Sequence, residues 1–454
     1  MKHRRKRGSL RLVFPALFVL AFISFVVFAI RSERQRVETL ASLEATPEIR
    51  FHAALAEVIS RPDNAVQETR QPEIQPALDR IAAWKALFLR KQQEIDGDEW
   101  DAILERWYEA DLWENLTPED VAQIGGFLEK HANFLIALRQ TAALGGPMDV
   151  VPPPPERMDM EHLRQARDST RLLSLNALYQ AHAGERDAAI TDVVAGLQLG
   201  NALASEPSLM PQLVRFACTM MAYHGLIEGF PPGAISRADL AHLLGQVQRD
   251  PGRVPMVIAL EETRLSSVKS LHATLDSGWA DRYTKMERNL YLSRSPFMQR
   301  FGKLAYASPL ARPWLNRDIT TLSKAAGAIT ELAHLPYYDA LRERDPPRGS
   351  VLPYTRQQSN SLIRTLGSQA RHEAVLQLLQ LGLTLEQYPR PPESLDALLE
   401  HFPETTLTDP FTGHYFHYKP DGDFFLLYSV GENLMDDGGH HDFGSGDIVW
   451  RSTW

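Results

Sequence analysis

From Leu12 to Ile30 the chain carries nineteen consecutive residues without a charge, fourteen of them Leu, Ile, Val or Phe. As a helix this run measures about 28 Å, close to the roughly 30 Å hydrocarbon core of a bilayer. Each of its large apolar residues favours insertion by about 0.3–0.6 kcal/mol. Pro15 falls near the N-terminal end, where a lost backbone bond costs least. Lys2, Arg4, Arg5, Lys6, Arg7 and Arg11 precede the run, and only Arg31, Arg34 and Arg36 follow it closely. That asymmetry predicts a cytoplasmic N-terminus and an exported remainder. A cleaved signal peptide is the competing reading, with Val27-Phe28-Ala29 as its cleavage site, although the run exceeds a usual signal core.

The chain has 454 residues, more than one ordinary core accommodates, so two or three packing units are expected. The formal charge of −9 is unevenly spread: residues 1–36 hold nine Lys/Arg and one Glu, leaving −17 on the rest. An exterior this acidic argues against nucleic acid as a partner and against binding to anionic lipid through the exported part. Cys218 stands alone, so no internal disulfide forms. Its neighbours Phe216, Ala217, Met220 and Met221 read it as a buried thiol.

After the apolar run the pattern is mainly helical. Residues 31–50 read as a polar helical continuation. A helix from Pro72 or Pro76 places Leu78, Ile81, Ala82 and Leu89 on one face. Thr117-Pro118-Glu119-Asp120 is a helix start, and that helix is expected to reach Leu144. Gly145-Gly146-Pro147 and Pro152 to Pro155 mark a sub-boundary near 145–157. Leu172 to Leu199 then reads as two helices around Gly184, with Ile190, Val193, Val194 and Leu197 along one side. The pair resembles a tetratricopeptide-type hairpin, with no second copy at the repeat distance; a helical pair within an α-bundle is the other reading. Helices follow from Pro207, over Ser236–Val247, over Val254–Leu275 and over Ile319–Arg344. Asp345-Pro346-Pro347-Arg348-Gly349 is a linker composition. Gln357 to Gln387 is apolar nearly all round through Val375, Leu376, Leu378, Leu379, Leu381, Leu383 and Leu385, so it should be buried.

The tail changes character. A short helix begins at Ser394-Leu395, and strand-like runs follow at Tyr415–Tyr418, Phe424–Ser429 and Ile448–Arg451. Pro420-Asp421-Gly422-Asp423 is a hairpin turn signal. Between the last two runs lies a loop with five glycines, Gly431, Gly438, Gly439, Gly444 and Gly446, which has little apolar material to bury. A solvated Asp/Gly turn held by Asx-type hydrogen bonds is one reading of it.

The order of Tyr388-Pro389, Ser394 to Leu398, Asp409-Pro410-Phe411, a hairpin, Leu427 to Gly431, an Asp/Gly loop and Asp447-Ile448 resembles the C-terminal part of the type II secretion major pseudopilin. The likeness covers roughly the last ninety residues. It implies a long helix packed on a small antiparallel β module, with calcium bound by the terminal loop. Carried over residue by residue, the side-chain ligands are Asn433, Asp437, Asp442 and Asp447, with carbonyls near Ser429 and Val430. Calcium takes six to eight oxygens from a flexible loop, which suits this composition. Asn433 stands where that family has Asp. Some 330 residues separate the apolar run from the tail, and Val13, not Glu, is fifth after Gly8, so prepilin processing is not expected. Leu163 to Leu226, including AGERDAA and EPSLMPQLVRFA, is similar to membrane-anchored bacterial proteins of no assigned activity that share this end.

Together these readings predict a mainly α protein. A basic cytoplasmic tail (1–11) precedes a transmembrane helix (12–30). An exported helical bundle or irregular array (31–344) follows, then a pseudopilin-like helix and β tail (350–454). The location implied is the bacterial inner membrane, single-pass, with the C-terminal domain periplasmic. The partners implied are envelope proteins. No phosphate-binding glycine loop appears. His372-Glu373 begins a zinc-protease string, but Leu376 stands where its second His is required. Gly444-Ser445-Gly446 lacks nucleophile-elbow spacing. A non-enzymatic scaffold and an enzyme whose helical cleft leaves no motif both fit; a deep pocket with convergent titratable groups would favour the latter.

Overall fold

The computed structural model describes residues 7–60, 74–110, 113–148, 160–230, 235, 237–252, 254–276, 312–343, 353–440 and 446–451. In the first helix, side chains are described from Ala21 onward. The expected boundary prolines Pro152 to Pro155, the 345–349 linker and Asp442 lie outside the described residues.

The chain is mainly helical with one small antiparallel sheet. In order, the helices are α1 (Arg7–Ala41), α2 (Pro47–Ser60), α3 (Gln75–Glu94), α4 (Gly97–Ala110), α5 (Pro118–Lys130), α6 (Ala132–Ala142), α7 (Glu161–His182) and α8 (Arg186–Leu203). They continue with α9 (Leu209–Gly229), α10 (Arg237–Val247), α11 (Val254–Asp276), α12 (Arg312–Leu332), α13 (Tyr337–Glu343), α14 (Pro353–Leu385) and a one-turn α15 (Glu404–Leu407). The strands are β1 (His417–Asp421), β2 (Phe424–Ser429) and β3 (Ile448–Arg451), paired antiparallel in that order. Two compact units divide the chain. One comprises Met1–Ala45, Thr263–Ile329 and Asp345–Leu362; the other comprises Thr46–Glu262, Thr330–Arg344 and Ile363–Trp454.

In the larger unit, α7, α8 and α9 pack closely on one another. The α7–α8 turn is made at Gly184, at φ +83°, which a side chain would strain. Ile190, Val193, Val194 and Leu197 all face the core, as their spacing requires. One core joins α3 to α9 around Trp84, Phe134, Leu173 and Leu175. A second joins α8, α9 and α10 to α14 and the β tail. Residues on both sides of the expected 344/350 division therefore share this second core. All seven named apolar residues of α14 are buried, each worth about 1.5–3 kcal/mol on transfer from water.

Several elements differ from expectation for identifiable reasons. Thr117 and Asp120 form a reciprocal capping box, but the helix they open stops at Lys130. His131 leaves the helical conformation, its ring against Phe127 at 4.6 Å, and α6 starts afresh. Pro336 separates α12 from α13 inside the expected Ile319–Arg344 helix. On α3 the buried face is Ala77, Ile81, Trp84, Leu87, Phe88 and Lys91, while Leu89 is exposed. Trp84 and Phe88 bring more apolar area than Leu78 and Leu89, and they set the orientation. The first strand runs from His417 rather than Tyr415, which makes only a bridge to Thr408. Pro420 is thus a residue of the edge strand, and the turn narrows to Gly422-Asp423, with Gly422 at φ +62°. The short helix after Ser394 is a 3₁₀ helix, Leu395–Glu400.

In the smaller unit, α1 and α12 run side by side in the same direction. Phe25 and Phe28 meet Trp314, Glu33 meets Asn316, and Thr39 meets Thr320. Among the described residues no helix is long and apolar enough to cross a membrane. The side chains of 12–20, the first half of the expected span, lie outside that description.

Candidate functional site

The terminal loop begins where β2 ends. Gly431 takes φ +69°, and a Cβ there would stand 2.6 Å from the Gly446 carbonyl, so the two ends of the loop close on each other. Asp409, fully buried, pins the entry: its carboxylate accepts from Phe411 N, Ser429 Oγ and Val430 N at 2.9–3.3 Å. Asn433 Oδ1 accepts from Met435 N, and Asp436 Oδ1 accepts from Gly438 N and from the Tyr428 hydroxyl. These are Asx turns, and the N–H of Gly438 helps hold the Asp436 carboxyl below its usual range.

Of the four expected ligands, the structure brings three into this one loop. Asn433 Nδ2 donates to Asp437 Oδ2 at 3.0 Å, and Asp437 N donates to Asp447 Oδ1 at 3.4 Å. Asp447 is buried and accepts a second bond from Gly439 N at 2.7 Å. Burial raises its carboxyl pKa, against the lowering by those two N–H donors. Asp442 lies outside the described residues. The proximity is what a cation site needs, and the engaged oxygens are what a hydrogen-bonded turn needs. Among the described residues, no three His, Cys, Asp or Glu side chains are gathered as a metal site.

A second cluster joins residues that no sequence motif links. Arg215 and Thr219 on α9, Asp250 after α10, and His372 on α14 meet in the interior of the larger unit. Arg215 Nη2 donates to the Gly252 carbonyl at 2.6 Å, to Asp250 Oδ1 at 3.3 Å and toward His372 Nδ1 at 3.4 Å. His372 Nε2 lies 3.5 Å from Asp250 Oδ2 and 3.3 Å from Thr219 Oγ1. The set is satisfied by neutral imidazole with its proton on Nε2, given to Asp250, while Nδ1 accepts from Arg215. Phe216 stacks on the imidazole at 4.4 Å, and the guanidinium lies over the Phe216 ring at 5.2 Å. Nε and Nη1 of Arg215 find no hydrogen-bond partner among the described residues.

Burial drives the His372 pKa down, against the pull of Asp250. Burial alone would raise Asp250, but His372 and Arg215 beside it hold its carboxyl below the usual range. Imidazole, carboxylate and hydroxyl are the groups of general acid–base chemistry, yet Arg215, Asp250 and His372 are at most 3% exposed at their side chains. The arrangement ties α9, the residues after α10 and α14 together. The signal that could have found it is Gln212, Arg215 and Thr219, a polar stripe at offsets 0, 3 and 7 on an otherwise apolar helix.

A pH dependence follows. His372 binds its proton more weakly folded than unfolded, so its contribution to stability is present above the ordinary histidine pKa of 6.5 and is lost as pH falls below it. Urea midpoints taken from neutral pH down to about pH 5 should fall further for the natural protein than for His372→Gln. Equal slopes for the two would show that His372 does not titrate on unfolding.

The chain matches no family model, no curated protein and no solved structure.

Proposed function

We propose that the chain is an envelope-anchored, non-enzymatic scaffold or interaction protein. Residues 12–30 hold it in the bacterial inner membrane with the N-terminus cytoplasmic. In the narrower form, its pseudopilin-like tail makes it an accessory of a type II secretion or pilus-like assembly. One observation carries the anchoring: on α1, Phe22, Ile23, Val27 and Ile30 are 51–66% exposed. Four large apolar side chains on consecutive turns of the uncharged stretch of this helix are a surface for lipid, not for water. The buried Arg215–Asp250–His372 cluster supports a structural role for the most unusual charges of the helical region.

The expected result on fractionation is that the full chain stays with membranes through an alkaline wash and that deletion of residues 12–30 releases it. In spheroplasts, added protease should reach the C-terminal domain and spare the N-terminus. A full-length chain found in the soluble fraction would overturn the anchoring. Purification from membranes should recover secretion components; recovery of none would remove the narrower form.

Calcium at Asn433, Asp437, Asp442 and Asp447 is the part of the tail resemblance with its own test. A ligand that binds only the folded form raises its stability by about 2.7 kcal/mol at a hundredfold excess over Kd. Millimolar calcium should therefore raise the melting temperature of the full protein, and Asp447→Asn should abolish the rise. No rise in the natural protein would assign the loop to its hydrogen-bonded form alone.

A further inference from the structure

The smaller unit sets a polar and an aromatic group of α12 against the end of the apolar run. Trp314 lies 5.8 Å from the Phe25 ring and 5.4 Å from the Phe28 ring, and is itself 41% exposed. Phe25 and Phe28 fall five and two residues before Ile30, which places this contact about 3–8 Å inside the end of the run. One turn further out the contacts become polar. Asn316 Nδ2 donates to Glu33 Oε2 at 2.6 Å, Arg36 pairs with the same Glu33, and Arg36 Nη1 is 2.8 Å from His272 Nε2. The Arg36 hydrogen bond is the main reason the Glu33 carboxyl stays below its usual range. Beyond that layer, Leu40 and Leu43 pack on Val268, Ile319 and Leu322.

α12 is therefore held against α1 by these contacts, and its first turn lies close to the level at which the apolar run ends. Tryptophan there has an apolar body against phenylalanine and an exposed face, the arrangement that places indoles in the headgroup belt of membranes. Arg312 and Arg317 are exposed on the same stretch of α12, and Arg31 and Arg34 on α1, so the charge around this level suits lipid phosphate.

We propose that the first turn of α12, Arg312–Trp314, sits in the headgroup region of the bilayer beside the exit of α1, with Trp314 as an interfacial anchor. The chain then holds the outer face of the membrane through two segments some 280 residues apart in sequence. The inference rests on the anchored reading of residues 12–30 and adds a surface to it.

Its test is depth-dependent quenching. The full-length protein is reconstituted into phosphatidylcholine vesicles brominated either near the headgroup end or near the middle of the acyl chains. The emission of wild type minus Trp314→Phe isolates Trp314 from the other tryptophans, and Trp→Phe keeps an aromatic ring against Phe25 and Phe28. The difference emission should lose most of its intensity with bromine near the headgroups and little with bromine at mid-chain. In Glu33→Ala, which removes the clamp to Asn316, that loss should shrink while the protein still floats with the vesicles. Difference emission that is equal in brominated and plain vesicles, with the protein floating, would overturn the inference and leave the anchor standing. Protein that fails to float would overturn both.

Discussion

Asp250→Ala is expected to cost the larger unit about 3–5 kcal/mol, the range seen when one partner of a buried ion pair is removed. The loss exceeds that of a hydrogen bond because the guanidinium it leaves behind is completely buried, and its Nε and Nη1 already have no hydrogen-bond partner among the described residues. Asp250 also accepts from Gly252 N at 2.7 Å, holding the turn in which Gly252 takes φ +64° and offers its carbonyl to Arg215. One substitution thus loosens both the charge and the geometry of its second acceptor. The natural reporter is Cys218, three residues along α9 from Arg215. It is the only thiol in the chain, fully buried, and burial pushes its pKa up to about 11. It reacts with a soluble disulfide reagent only when α9 opens. At about 1.4 kcal/mol per tenfold, the substitution should speed modification by roughly 10²- to 10⁴-fold if opening is local to this region. An unchanged rate would show that the cluster does not hold α9 in place. Replacing the set by apolar residues of similar volume, Arg215→Met with Asp250→Leu and His372→Leu, should recover much of the stability, because the cost lies in the uncompensated charge.

The contrast between what was legible and what was not follows from sequence separation. Local chemistry was readable. Thr117 and Asp120 are three residues apart and cap the helix they were expected to cap. Gly184 and Gly422 mark turns that need positive φ, and the apolar circumference of α14 announces a helix with partners on all sides. Arg215, Asp250 and His372 are distant in the chain, and each alone looks like a surface residue; only the polar stripe on α9 hinted otherwise. Competition between faces decided α3, where both phases of the helix carry apolar residues and Trp84 outweighs Leu78. Breaks inside helical composition fall at His131, whose ring turns onto Phe127, and before Tyr337, at Pro336. In the terminal loop, composition identified a turn rich in acceptors, but which oxygens face which donors is set by Asp447 across the loop.

Gly382→Val should detach the last strand while leaving the hairpin formed. A Cβ built on Gly382 would stand 2.2 Å from Trp450 Cδ2 and 2.5 Å from Cε2, so the indole lies directly on the α14 backbone. Overpacking of this kind ordinarily costs about 1–3 kcal/mol through small shifts. Here the obstacle is a ring core against a helix backbone, and the relief available is removal of the ring, which forfeits a buried tryptophan worth about 3–5 kcal/mol. The second tie of β3 to the helices is then lost as well: Tyr223 on α9 donates its hydroxyl to the Val449 carbonyl at 2.5 Å, and that bond depends on the strand staying seated. β1 and β2 have supports of their own, in their mutual pairing and in the Asp409 carboxylate that grips Phe411, Ser429 and Val430. Hydrogen exchange should therefore rise steeply at Ile448–Arg451 in the variant and change little at His417–Tyr428. Tyr223→Phe, which removes one hydrogen bond and no packing, should raise exchange at Val449 and Trp450 by only the tenfold or so that about 1–2 kcal/mol allows. The ratio of the two effects measures how far the strand is held by the indole on α14 rather than by the sheet. Protection at Ile448–Arg451 that survives Gly382→Val would place the indole elsewhere and make β3 a strand held by β2 alone.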